Sequence, residues 1–156
     1  MNDAGRQRKV IPPPLLVLAC LGGGWIAHRL RPVRFLPDLG VAGPAAGAVL
    51  VLAGLAIGLA GVREFRRHGT PTNPYRPTTA LVTSGIFRVS RNPMYLGFVL
   101  VTVGVAIAFD SAAFLVSALL LVVLLQAAVI RPEERFLAER YGADFEAYRR
   151  RTRRWI

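Results

Sequence analysis

Four long apolar runs, at residues 13 to 29, 40 to 62, 93 to 109 and 112 to 130, leave this chain few ways to fold. Each approaches or meets the ~20 residues that a helix needs to cross a hydrocarbon core. In lipid the backbone must satisfy its own hydrogen bonds, and a single segment does so only as a helix. The pattern therefore predicts an all-α integral membrane protein with about four transmembrane helices, a cytoplasmic loop and short cytoplasmic C-terminal helices. It predicts one domain over residues 1–156: an N-terminal helical pair (1–62), then a unit (63–156) of loop, helical hairpin and terminal helices.

The basic residues supply an orientation. The chain carries 20 Lys and Arg against 9 Asp and Glu, a formal charge of +11. Three basic residues precede the first run, six lie in the 63 to 92 segment and eight follow the fourth run, while the first inter-run loop has Arg29, Arg31 and Arg34. Basic residues near helix ends stay on the cytoplasmic side, so both termini and the long loop are expected there. The same arrangement accounts for the charge without nucleic acid, and it attracts anionic lipid headgroups. Arg6, Arg8 and Lys9 before an apolar run also describe a secretory signal. No small-x-small cleavage site leads into a hydrophilic mature chain, and the next segment is itself membrane-like, so a retained helix is expected. Cys20 is the single cysteine, which excludes an intrachain disulfide and most thiolate metal sites. His28 and His68 fall on opposite expected faces of the membrane, and no metal site is expected.

The second run contains Gly43-x-x-x-Gly47 and Gly54-x-x-x-Gly58, a spacing that favours close helix packing in lipid, here expected within the chain; the oligomeric state stays open. Pro71, Pro74 and Pro77 break the 63 to 92 segment, whose length suits a functional loop. Phe109-Asp110-Ser111 turns the third and fourth runs into a hairpin, so the charges near Pro93 and those after Ile130 become neighbours. Pro132 is expected to open a helix ending near Tyr141-Gly142, with another short helix through Phe145 and Tyr148.

Several residues then have both a structural and a functional reading. Asn92-Pro93 is a good helix start, and the N-terminus it creates suits a carboxylate or phosphate, with Arg91 beside it. Glu133 and Glu134 complement a first-turn dipole, yet with Arg131 they also offer an anion partner and a carboxylate for an ammonium or ribose hydroxyls. Tyr95, Tyr141 and Tyr148 suit interfacial anchoring. There is no Gly-x-Ser-x-Gly elbow, Walker loop, His-Glu-x-x-His or Rossmann glycine fingerprint.

Arg91-Asn92-Pro93-Met94-Tyr95-Leu96-Gly97, preceded by Leu81-Val82-Thr83-Ser84-Gly85, resembles the Arg-His-Pro-x-Tyr-x-Gly block of the isoprenylcysteine carboxyl methyltransferase and phospholipid methyltransferase superfamily. Glu133-Glu134, followed by Leu137, Tyr141-Gly142, Tyr148 and Arg154-Trp155-Ile156, resembles that superfamily's C-terminal pattern. The resemblance covers roughly Gly69 to Ile156. It implies S-adenosylmethionine bound on the cytoplasmic side and a lipophilic acceptor entering from the bilayer. Carried over residue by residue, it implies cofactor contacts from Gly85, Phe87, Arg91, Asn92, Pro93, Tyr95, Glu133, Glu134, Tyr141 and Tyr148, with Arg91, Arg131 and Glu134 as catalytic candidates. Asn92 stands where many members have His, and Phe87 where Tyr is frequent. Because Asn carries no proton at neutral pH, the expectation leans to isoprenylcysteine-like carboxyl O-methylation. Phospholipid N-methylation, lipophilic thiol methylation and a non-catalytic scaffold with a basic lipid-binding face remain as alternatives.

Overall fold

A computed structural model describes residues 11–70 and 79–156, and among these every regular element is helical. The N-terminal basic residues Arg6, Arg8 and Lys9 and the prolines Pro71, Pro74 and Pro77 lie outside the described residues. Helix α1 spans Pro13–Leu30, α2 Ala42–Arg67, α3 Pro93–Ala108, α4 Ala112–Leu124 and α5 Arg131–Arg151; a short 3-10 turn covers Gly85–Arg88. Proline opens α1 and α3 within their first two positions, where its missing N–H costs nothing.

Pro132 shapes the junction of α4 and α5. A proline inside a helix removes one hydrogen bond and crowds the carbonyl four residues earlier, and here the six residues Leu125–Ile130 widen into a π turn. The helix thus runs on without a break from Ala112 to Arg151. Its only non-helical residue is Gly142, at φ 47°, where the sequence predicted one terminal helix to end and another to begin.

Two helices are long and apolar enough to cross a membrane, α2 and the continuous helix from Ala112; α3 is apolar but shorter. Only 17% of the apolar stretch of α2 is buried inside the protein. Leu52, Leu55 and Leu59 on α2, Leu15 and Leu18 on α1, and Val116, Leu119 and Val123 on α4 are exposed. A soluble monomer rarely exposes so much apolar surface; hydrocarbon is the solvent it fits.

The helices pack in the order α1, α4, α3, α2. Leu16, Val17 and Cys20 of α1 form one core with Leu121, Leu125, Val129 and Ile130, and Trp155 of the C-terminal tail packs against it. Helices α2 and α3 meet along glycines. A Cβ on Gly54 would lie 2.7 Å from the Gly97 carbonyl oxygen, and one on Gly47 would lie 2.5 Å from that of Gly104. The two backbones therefore touch directly, which fixes the antiparallel register of the pair.

At the end of the bundle away from α5, Asp110 ties the 31–40 segment to the α3–α4 turn. It accepts from the backbone N–H groups of Phe35 (3.0 Å) and Leu36 (2.8 Å) and from Arg34 Nε at 2.7 Å. The two backbone bonds, assisted by Arg34, hold its carboxyl below the usual range. A carboxyl depressed in the folded state stabilises fully above its unfolded pKa, about 3.9, and that stabilisation is lost as pH falls through the lower folded value. Thermal melts in detergent should therefore lose stability on acidification below about pH 4, and Asp110→Asn should blunt that component. An identical acid limb in the variant would show that the clamp contributes nothing.

Candidate functional site

The last turn of α2, the loop entering α3, the start of α5 and the C-terminal tail converge on one cleft. Phe65 closes α2 and stacks on Phe87 of the 3-10 turn, with ring centroids 5.1 Å apart and planes 7° from parallel. Phe87 is held a second time, since Tyr148 donates its hydroxyl to the Phe87 carbonyl at 2.7 Å. Phe145 and Val82 complete this apolar cluster, with Tyr141 packed on its edge. Tyr148 is buried and hydrogen-bonded inward, so it is not an interfacial anchor.

The same cleft is lined by a clamp around Glu134. Arg91 Nη2 donates to Glu134 Oε1 at 2.8 Å and Arg154 Nη2 donates to Oε2 at 2.6 Å, so both carboxylate oxygens are taken by guanidinium groups. The Arg91 and Glu134 side chains are 9% and 13% exposed, that of Arg154 34%. The Glu134 bond stabilises the charged form of Arg154 and pushes its pKa up. Arg91 also donates through Nη1 to the carbonyls of Thr152 (2.6 Å) and Arg149 (3.1 Å), and its backbone N–H reaches the Arg153 carbonyl at 3.0 Å. The C-terminal tail is thus strapped onto the loop that opens α3.

Asn92 occupies the residue before α3 without capping it through its side chain. Its amide instead donates to the Arg154 carbonyl at 3.0 Å, and Ser90 Oγ donates to the same oxygen at 3.3 Å. The remaining acid is of another kind. Glu133 Oε2 accepts from Tyr95 Oη at 3.0 Å, and among the described residues Glu133 has no cationic partner.

Phe87, Arg91, Asn92, Pro93, Tyr95, Glu133, Glu134 and Tyr148, all singled out in the sequence, line the cleft. Gly85 does not; it rests on Glu64 instead. Tyr141 lies behind the wall, and Arg131 is exposed outside the lining. Sequence reasoning missed Phe65, Met94, Leu137 and Phe145 as wall residues and Arg154 as a partner of Glu134. For Phe65 the only signal was an aromatic among charges just past an apolar run. The cleft, counting its open mouth, measures about 570 Å³, and Arg154 at 34% exposed is the less confined of the two arginines on Glu134.

Residues 43–144 match the family described as phospholipid methyltransferase, well over half of the chain. The chain belongs to the phospholipid methyltransferase family. That family lies within the integral membrane methyltransferase superfamily whose motifs the sequence resembles. No curated protein and no solved structure matches the chain. The cleft of this family member combines an aromatic wall, a clamped arginine and a carboxylate that, among the described residues, has no cationic partner, at the end of helices that suit a bilayer.

Proposed function

We propose that the protein transfers a methyl group from S-adenosylmethionine to a lipophilic acceptor resident in the membrane. The observation that carries this reading is that Phe87 and Phe145 line one cleft together with Glu133, in a chain of this family. The residues fit the donor: the aromatic wall suits adenine, and the one Nη2 N–H of Arg91 not spent on Glu134 and the tail suits a carboxylate. When bound, the donor supplies an electrophilic methyl carbon by virtue of its positive sulfonium. The protein's part is to align the acceptor in line and to exclude water. Arg91 and Glu134 hold the loop and tail in register, and Arg131, exposed at the start of α5, is assigned to the acceptor's anionic group.

The acceptor favoured by Glu133 is an amine of a phospholipid headgroup. A carboxylate with no cationic partner attracts an ammonium and repels a carboxylate acceptor, and it can take the proton an ammonium must lose before attack. Carboxyl O-methylation of an isoprenylcysteine-like lipid is the second reading, supported by Asn92, since that acceptor needs no base. Four spans with both termini and the cleft on the cytoplasmic side complete the proposal, supported by the placement of the arginines.

Protein in nanodiscs incubated with methyl-labelled donor and lipid extract should place label in the lipid fraction. Label released by mild base identifies an ester, base-stable label in the amine headgroup an N-methyl product, and base-stable label outside it a thioether. Glu133→Gln should slow turnover at least about a hundredfold on an amine, by removal of a general base, and far less on a carboxylate. Absence of any lipid label from folded protein that also fails to bind S-adenosylhomocysteine would end the proposal.

A further inference from the structure

We infer that Glu64, on α2 and outside the cleft, is a positioning residue that sets the Phe87 wall for the methyl donor; the inference rests on the methyltransferase reading above. Glu64 is 8% exposed, and an acid so enclosed near the end of an apolar helix is costly unless its charge is used and satisfied. Its partners are Ser84 from the far loop and Arg67 one turn on in α2. Ser84 Oγ donates to Glu64 Oε1 at 2.5 Å, and Arg67 Nη1 donates to Oε2 at 3.4 Å. His68 Nδ1 lies 2.9 Å from the Glu64 backbone carbonyl, and its Nε2 is 3.3 Å from Ser84 Oγ.

The carboxylate also seats the next residue. Gly85 has φ +56°, and a Cβ there would fall 2.8 Å from Glu64 Oε2. The backbone of the 3-10 turn therefore lies against the acid with no room for a side chain, in a conformation that glycine adopts without strain. Two residues on, the same turn presents Phe87, whose ring stacks on Phe65, the direct neighbour of Glu64 in α2. One helix end thus grips the turn twice: Glu64 by its start and Phe65 by its aromatic ring. Tyr148 holds the other side through the Phe87 carbonyl. Without the carboxylate, Ser84 and Gly85 lose their anchor, and the wall is left with the Phe65 stacking and the Tyr148 hydrogen bond.

The test uses the full chain in nanodiscs and three readouts: the Kd for S-adenosylhomocysteine by calorimetry, the KM for each substrate with kcat, and hydrogen exchange over residues 84–90. Glu64→Ala should raise the donor Kd and KM about tenfold, the scale of one lost charged hydrogen bond, while acceptor KM and kcat stay within a few-fold. Exchange over 84–90 should accelerate. Glu64→Gln retains a carbonyl oxygen for Ser84 and should recover most of the donor affinity, a rescue that a general loss of stability would not show. If Glu64→Ala fails to fold, Ser84→Ala reports on the same contact and should weaken donor binding in the same direction. Normal donor binding by the parent, with unchanged binding and exchange in the folded variants, would overturn the positioning role alone. Failure of the parent to bind the donor would overturn the methyltransferase reading and this role with it.

Discussion

Glu134→Ala is expected to lower the stability of the folded protein by about 3–5 kcal/mol, the usual consequence of leaving a buried charge without its partner. The stranded group is Arg91, whose side chain is 9% exposed and whose remaining partners are the backbone carbonyls of Arg149 and Thr152. Those dipoles do not replace a carboxylate. Arg154 has a way out, because it is 34% exposed and can turn to water. Arg154→Ala is thus expected to cost only about 1 kcal/mol, in the range of exposed pairs. It should open the cleft, since Arg154 covers Glu134 from the tail. Thermal unfolding in detergent, followed by helical circular dichroism, checks the order Glu134→Ala, then Arg154→Ala, then the exposed Arg150→Ala with least effect. Equal losses for all three would mean that net charge rather than the clamp is at work.

How much of this was legible in the sequence depended on distance along the chain. The helix starts at Pro13, Pro93 and Ala112 were visible because proline or a turn abuts an apolar run. The end of α2 was not. The apolar run ends at Val62, yet the helix continues through Arg63, Glu64, Phe65, Arg66 and Arg67, because Ser84, twenty residues away in sequence, and Arg67 satisfy Glu64. A charged stretch reads as loop when its partners are remote. The meeting of Arg91 with Glu134 followed from a hairpin turned at residues 109 to 111, which sequence reasoning supplied. Arg154 is visible in the sequence only as part of a family-like ending, since what brings its side chain to Glu134 is the docking of the tail's carbonyls on Arg91, Asn92 and Ser90. Such contacts are indifferent to the tail's side chains and leave no mark in its composition.

The glycines of α2 show a different failure of spacing, and they make the second large prediction. The sequence shows pairs four residues apart, but the glycines at which a Cβ would run into α3 are Gly47, Gly54 and Gly61, seven apart, facing Gly104, Gly97 and Met94. A seven-residue repeat keeps one face toward a partner over the length of a helix pair, whereas Gly43 meets only Leu39 of its own approach, at 3.7 Å, and a Cβ on Gly58 would meet nothing within 4 Å. Gly97→Leu should therefore be severe: its Cβ would fall 2.5 Å from the Gly54 carbonyl oxygen, backbone that has no rotamer with which to yield. Overpacking usually costs about 1–3 kcal/mol, and here the upper end or beyond is expected because the two helices must separate. Gly58→Ala should be neutral or stabilising, by up to about 1 kcal/mol from helix propensity. Gly43→Leu and Gly47→Leu, compared by thermal unfolding, discriminate most sharply: equal damage would support the four-residue pairs, and damage confined to Gly47→Leu the seven-residue seam. Because α2 carries Phe65 and Glu64 while α3 begins with Pro93 and Tyr95, separating the seam moves the aromatic wall away from Glu133. Gly97→Leu protein that remains folded should then lose donor affinity without any change to a residue of the cleft.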